Sequence, residues 1–147
     1  RTRITVTNIS PSAANGALGA AATATKIVQV GEAVTQGMPL YFATDGKWYQ
    51  CDANDGVAKA VAGAIALSPA AIDSYALVAL PATSPGRSLV NLGATLAIGE
   101  VYAVSATKGA IAPIGDLSST QFISVLGIAT TTALLDFQVS ISNTAKA

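Results

Sequence analysis

The side chains most able to do chemistry are few in this sequence and are not grouped. Cys51 is the only cysteine and there is no histidine, so the usual Cys/His zinc sites and nucleophile–histidine pairs are excluded. Cys51 follows an apolar–polar alternation in "KWYQCDAND", which predicts a small buried thiol rather than a nucleophile. A single cysteine also rules out an intrachain disulfide.

The acidic residues make only a weak case for a metal site or a hydrolase. The stretch "DANDG", from Asp52 to Gly56, resembles the start of a calcium-binding loop but lacks the later bidentate acid that such a loop needs. We interpret it as an Asx turn. Most other acids stand beside turn glycines, where solvated carboxylates are expected, and not in an evident pair of the kind a glycosidase uses. The sequence therefore predicts no catalytic residue, no cofactor and no metal site.

The composition favours a protein that is covered by neighbours. Only 11% of the residues are charged, and eight basic residues cancel eight acidic ones. Ordinary globular chains carry about 25% charged residues, so a neutral surface with little protection against association is expected. The Lys and Arg residues are scattered, which argues against direct nucleic-acid binding. No apolar run approaches the length of a transmembrane helix, so no membrane contact is predicted.

The elements that must position these residues are strands. Short β-branched runs separated by Gly or Pro every ten residues or so predict an all-β fold, a small barrel or compact sandwich. Two hairpins are expected, with turns at Asp45–Gly46 and Lys108–Gly109. One short helix is expected between Asp55 and Val61, and the tail "NTAKA" is expected to fray.

The first 25 residues form a different kind of segment. An alternating strand, "RTRITVTNIS", precedes an uncharged stretch interrupted by Pro and Gly. We predict an extended arm over residues 1–25 that contacts a second copy or another protein, and a β domain over residues 26–147. The residues expected to make this contact are Arg1, Arg3, Ile4, Val6, Asn15 and Leu18. The alternative is that the segment is the first strand of its own barrel, followed by a long loop.

The β domain contains an internal repeat, over about residues 31–68 and 93–132. Five positions recur at offsets of 61 to 64 residues: Gly31 with Gly93, Gly37 with Gly99, Tyr41 with Tyr102, Gly46 with Gly109, and Gly63 with Gly127. Glycine recurs where a turn needs positive φ or where the backbone approaches a neighbour closely. The pattern predicts two similar β units that close on one another, with the two tyrosines in equivalent inward positions.

The segments "GEAVTQGMPLY", "DGKW" and "AGAIALS", followed by "GATLAIGEVYAVSATKGAIAP", carry a resemblance to a known family. In their order and joint presence they resemble the capsid cement, or head decoration, proteins of tailed bacteriophages. The resemblance covers roughly Lys26 to Thr132. The N-terminal 25 residues and Cys51 are not part of the pattern.

The resemblance implies a structural protein, made in the host cytoplasm, that sits on the outer surface of the virion head. Such proteins form homotrimers at three-fold and quasi-three-fold positions, where they bind the major capsid protein and clamp neighbouring capsomers. The resemblance brings no catalytic residue.

Two other functions stay open. One is a carbohydrate- or receptor-binding β module of a phage tail or fibre that uses Tyr41, Phe42, Trp48 and Tyr49 as a stacking platform. The other is a β-rich hydrolase.

Overall fold

The structure is a computed structural model that describes residues 8–9, 17–18, 24–82 and 88–146. Nearly all regular structure in these residues is β, as predicted. The strands are β1 (Ala17–Leu18), β2 (Thr25–Gln29), β3 (Pro39–Phe42), β4 (Trp48–Gln50), β5 (Ala64–Ala66), β6 (Tyr75–Ala79), β7 (Leu89–Asn91), β8 (Val101–Val104), β9 (Ile111–Pro113), β10 (Phe122–Ala129) and β11 (Leu134–Ala145). The short helix α1 spans Val57–Ala60, inside the predicted range, and a 3₁₀ turn spans Ile114–Asp116.

The strands form two antiparallel sheets built on one plan. The first sheet has the order β2-β6-β5-β3-β4, and the second has the order β1-β7-β11-β10-β8-β9. In each sheet a first strand leads into a hairpin and then a helical turn. The fourth strand of the unit pairs with the first strand of the hairpin. The fifth strand pairs with the fourth strand and with the first strand of the unit. Strands β2 to β6 therefore correspond one by one to β7 to β11, and the two predicted β units are present.

Each of the two units covers more of the sequence than the predicted repeat does. The strands of the first unit run from Thr25 to Ala79, and those of the second from Leu89 to Ala145. The glycine pattern marked only the hairpin and the fourth strand, because the first and fifth strands contain no glycine to compare. Strand β1 adds to the second sheet at β7, and among the described residues it has no counterpart in the first sheet.

Two of the four glycine pairs are conformationally alike. Gly37 and Gly99 each stand two residues before the first hairpin strand, with φ of 88° and 80°. The hairpin glycines Gly46 and Gly109 have φ of 84° and 76°. This left-handed region is costly for any residue with a Cβ. In the remaining two pairs, only Gly93 and Gly127 have a positive φ, and Gly31 and Gly63 do not.

The two tyrosines are not in equivalent positions. Leu40 lies three residues after Gly37, and Tyr102 lies three residues after the equivalent Gly99, so Leu40 is the counterpart of Tyr102. Tyr41 lies one residue further along its strand. Because successive side chains of a strand point to opposite faces, this offset changes the burial. Tyr102 is 3% exposed, whereas Tyr41 is half-buried at the margin of the same core.

The core lies mainly between the two sheets. Ile65 and Ala79 of the first sheet share a cluster of buried side chains with Leu126, Leu135 and Phe137 of the second. A smaller cluster covers the other face of the first sheet, because residues next to Ile65 in β5 point the opposite way. In the described part of the chain the sheets are not closed into a barrel, and the arrangement is that of a compact sandwich.

The C-terminal tail is not frayed, contrary to expectation. Strand β11 continues to Ala145, and Lys146 follows it against the loop that precedes β10. Thr120 N–H donates to the Lys146 carbonyl at 2.8 Å, and Lys146 N–H donates to the Gln121 carbonyl at 2.8 Å. The Lys146 ammonium also donates to the carbonyl of Leu117 at 2.6 Å. These bonds hold the tail, which sequence position alone suggested would be free.

Candidate interaction surface

The residues predicted for contact with other proteins mostly fall outside the described part of the chain. These are Arg1, Arg3, Ile4, Val6 and Asn15. Leu18, the remaining one, belongs to β1, and its backbone pairs with Val90 of β7. One of the six predicted contact residues is thus placed, and it pairs with a strand of its own chain.

Other described residues of the N-terminal segment also contact their own β body. Ile9 N–H donates to the carbonyl of Ile111 in β9 at 3.0 Å. Ser105 Oγ donates to Asn8 Oδ1 at 2.6 Å, and Asn8 Nδ2 donates to Thr107 Oγ1 at 3.3 Å. At these points the segment lies along the second sheet, which agrees with the interpretation of a first strand of the body.

The four hairpin aromatics do not form one platform. Tyr41 is opposite Tyr49 and Phe42 is opposite Trp48 in the β3–β4 register, so the two pairs lie on opposite faces. Tyr41 and Tyr49 stack with ring centroids 5.9 Å apart. Phe42 and Trp48 are tilted at 57° with centroids 5.3 Å apart. Trp48 packs on the smaller core, close above Gly63, which leaves Phe42 as the exposed member of its pair.

The residues first considered for chemistry are held in structural roles. Cys51 is fully buried, as predicted, and burial raises the pKa of its thiol. Asp52 Oδ1 accepts a hydrogen bond from Asn54 N–H at 2.9 Å, which confirms the predicted Asx turn. In the described ranges no group of three or more Cys, Asp and Glu side chains could hold a metal ion.

Several charged side chains on the surface are paired. In the part of the chain that the structure describes, ion pairs join Lys47 to Asp73 at 2.7 Å, Lys59 to Asp55 at 2.6 Å, and Lys108 to Glu32 at 2.7 Å. The last pair joins the two β units, because Glu32 precedes β3 and Lys108 lies in the turn between β8 and β9. Because each of these lysines is paired with a carboxylate, they leave little net electrostatic field to attract a charged ligand.

An exposed apolar strip runs along β2 and β6. Ile27 is 69% exposed and lies opposite the half-buried Leu77, and Tyr75, 60% exposed, lies opposite Gln29 on the same face. We call this the β2–β6 face. Exposed apolar side chains that adjoin one another mark interaction sites more often than isolated ones do.

A second feature is a shallow pocket at a bulge in β10. The register of β10 shifts between Val125 and Gly127, as a glycine inside a strand predicts. A cavity of about 150 Å³ opens there, lined by Val125, Gly127, Ile128, Asp136 and Gln138. We call it the bulge pocket. Val125 and Ile128 give it apolar walls, and Asp136 and Gln138 add polar groups.

Comparisons with known protein families, with curated proteins and with solved structures each find no match to this chain. Separately, none of the helices in the described ranges is long and apolar enough to cross a membrane.

Sequence reasoning did not find the β2–β6 face. The alternation of "KIVQV" places Val28 and Val30 on one side and Ile27 on the other. Which side is exposed depends on the neighbouring strands and on the position of β2 in the sheet. No local signal in the sequence carries that information.

Proposed function

We propose that this chain is a capsid cement protein, which binds the outer surface of a tailed-bacteriophage head between capsomers and stabilises it. The sequence resemblance over Lys26 to Thr132 supports this class and implies the major capsid protein as the partner. The homotrimer that the resemblance implies is part of the proposal.

The observation that carries the proposal is a surface of low charge with apolar side chains exposed on strands. Three lysines are paired with acids, while Ile27 and Tyr75 on the β2–β6 face and Ile128 at the bulge pocket are exposed. A protein that is clamped between larger subunits needs such a surface, because apolar burial, and not charge, then stabilises the contact.

A binding experiment with heads tests the proposal. Heads are assembled from the major capsid protein of the virus that encodes this chain, first without the chain, and then mixed with the purified protein. We expect extra density on the outer surface at three-fold and quasi-three-fold positions by electron cryomicroscopy, and heads that withstand higher temperature. Heads without added density at saturating protein would refute the proposal.

A further inference from the structure

The chain contains two Asp–Gly pairs, Asp45–Gly46 and Asp55–Gly56, whose chemistry allows isomerisation. In such a pair the glycine nitrogen attacks the aspartate Cγ, water leaves, and a five-membered succinimide ring forms. Water then opens the ring at either carbonyl, so the products are aspartate and isoaspartate, in which the main chain runs through Cγ. The water that leaves is taken up again, and no co-reactant is needed. Glycine favours the attack because it has no Cβ to obstruct it.

Neither exposure nor backbone conformation separates the two pairs. All four residues are exposed. Both glycines have a positive φ, 84° at Gly46 and 92° at Gly56. A difference in reactivity between the pairs must therefore come from the hydrogen bonds that hold the reacting groups.

The Asp45–Gly46 pair is restrained at both reacting groups. Asp45 Oδ1 accepts a hydrogen bond from Lys47 N–H at 3.0 Å, and Oδ2 accepts one from Tyr49 Oη at 2.5 Å. Gly46 N–H, which must attack, donates to the Ala43 carbonyl at 3.1 Å. These bonds must break before the ring can close, so the fold is expected to slow isomerisation here.

The Asp55–Gly56 pair is much less restrained. In the described part of the chain, Gly56 N–H has no hydrogen-bond acceptor. A Cβ placed on Gly56 would meet nothing within 4 Å, so the space around this glycine is open. The Asp55 carboxylate has one partner among the described residues, Lys59 Nζ at 2.6 Å. Both side chains of this ion pair are exposed, and exposed ion pairs are weak and open readily.

We propose that Asp55 is a site of spontaneous isomerisation to isoaspartate in the folded protein, whereas the fold protects Asp45. The modified residue would stand directly before α1, whose first residue follows Gly56. Conversion adds a methylene to the main chain there and shortens the side chain that reaches Lys59, so the start of the helix would lose its ion pair. The proposal does not rest on the proposed function.

Ageing of the protein tests both sites in one molecule. The wild-type chain is incubated at physiological temperature and neutral pH, once folded and once in urea at a concentration that unfolds it. Isomeric peptides from each Asp–Gly pair are then separated by chromatography and quantified by mass spectrometry. In urea we expect isoaspartate to form at similar rates at Asp45 and Asp55. In the folded protein we expect an unchanged rate at Asp55 and a rate about tenfold lower at Asp45, as the loss of its hydrogen bonds implies.

The matched variants Asp55→Asn and Asp45→Asn provide a second readout. An Asn–Gly pair forms the same succinimide by losing ammonia, and its opening changes the mass of the peptide, so no separation of isomers is needed. We expect folding to slow deamidation in Asp45→Asn, where Gly46 N–H keeps its bond to Ala43, and to leave it unchanged in Asp55→Asn. The natural Asn15–Gly16 pair is present in every sample and is quantified in its own peptide.

Two outcomes would overturn the proposal. One is isoaspartate that forms in the folded wild type at least as fast at Asp45 as at Asp55. The other is a rate at Asp55 that folding lowers as much as the rate at Asp45, since the free Gly56 N–H would then give no advantage.

Discussion

The ring of Tyr102 packs in the core, and its hydroxyl makes a hydrogen bond there. It is 3% exposed in the larger core, and its hydroxyl accepts a hydrogen bond from Ala97 N–H at 2.9 Å. We expect Tyr102→Ala to lower the free energy of unfolding by about 3–5 kcal/mol, the usual cost of truncating a buried aromatic ring. Tyr102→Phe keeps the ring and should cost only about 1 kcal/mol for the lost hydrogen bond.

Urea denaturation measures both changes, and Tyr41→Ala is the control. Tyr41 is half-buried at the edge of the same core, so its truncation should cost less than that of Tyr102. If Tyr41→Ala were as destabilising as Tyr102→Ala, the one-residue offset between the two units would have no energetic consequence.

Tyr49 and Asp45 form a pH-sensitive pair at the first hairpin. Tyr49 Oη donates to Asp45 Oδ2 at 2.5 Å, and this bond raises the pKa of Tyr49 from 10.0 to about 12. The neutral phenol is thus favoured in the folded state. Its stabilisation is present below the ordinary tyrosine pKa and is lost as the pH rises from about 10 through about 12.

Ultraviolet titration of the wild type against Tyr49→Phe isolates the Tyr49 transition. We expect a midpoint near the raised pKa, and a lower midpoint in Asp45→Asn, because the amide keeps an acceptor but removes the negative charge. A midpoint that does not move in Asp45→Asn would mean that the carboxylate does not hold the phenol.

The two hairpin turns test how far corresponding elements of the units are equivalent. Gly46 and Gly109 both have positive φ, so Ala at either site should cost about 1–2 kcal/mol of backbone strain. A Cβ at Gly46 meets nothing within 4 Å, whereas at Gly109 it would collide with Gln50 Oε1 from the other unit. Gly109→Ala should therefore lower the melting temperature more than Gly46→Ala.

Gln50→Ala shortens the side chain that Gly109→Ala would meet. Combining the two substitutions should bring the cost of Gly109→Ala close to that of Gly46→Ala. Equal melting temperatures for the two single glycine variants would show that Gln50 moves aside freely.

Strands and turns were predictable where the signal is local. The Asp45–Gly46 and Lys108–Gly109 turns and the short helix fall where the sequence predicts them. The tail was mispredicted because its partner, the loop before β10, is more than twenty residues away along the chain. The exposure of the β2–β6 face was missed for the same reason, since strand order is fixed by long-range pairing that alternation does not encode.

Hydrogen bonds from backbone and side-chain groups join the two units. Ala53 is bonded twice, with its N–H donating to the Ser105 carbonyl at 3.1 Å and its carbonyl accepting from Phe122 N–H at 2.9 Å. Gln36, buried, donates from Nε2 to the Leu92 carbonyl at 2.8 Å. With a shared core and these bonds, neither unit is expected to unfold without the other.

The N-terminal segment either belongs to the β sandwich of its own chain or makes contacts with other proteins. Ile9 and Asn8 are hydrogen-bonded to the second sheet, and β1 covers the edge of β7. Deleting residues 1–18 removes all three contacts and exposes the edge of β7, so we expect a lower melting temperature and aggregation. Deleting residues 1–7 removes none of them and is the control. Thermal unfolding of both truncations measures the difference. If the longer deletion left the melting temperature unchanged while the protein no longer bound heads, the segment would serve contacts to other proteins rather than its own sheet.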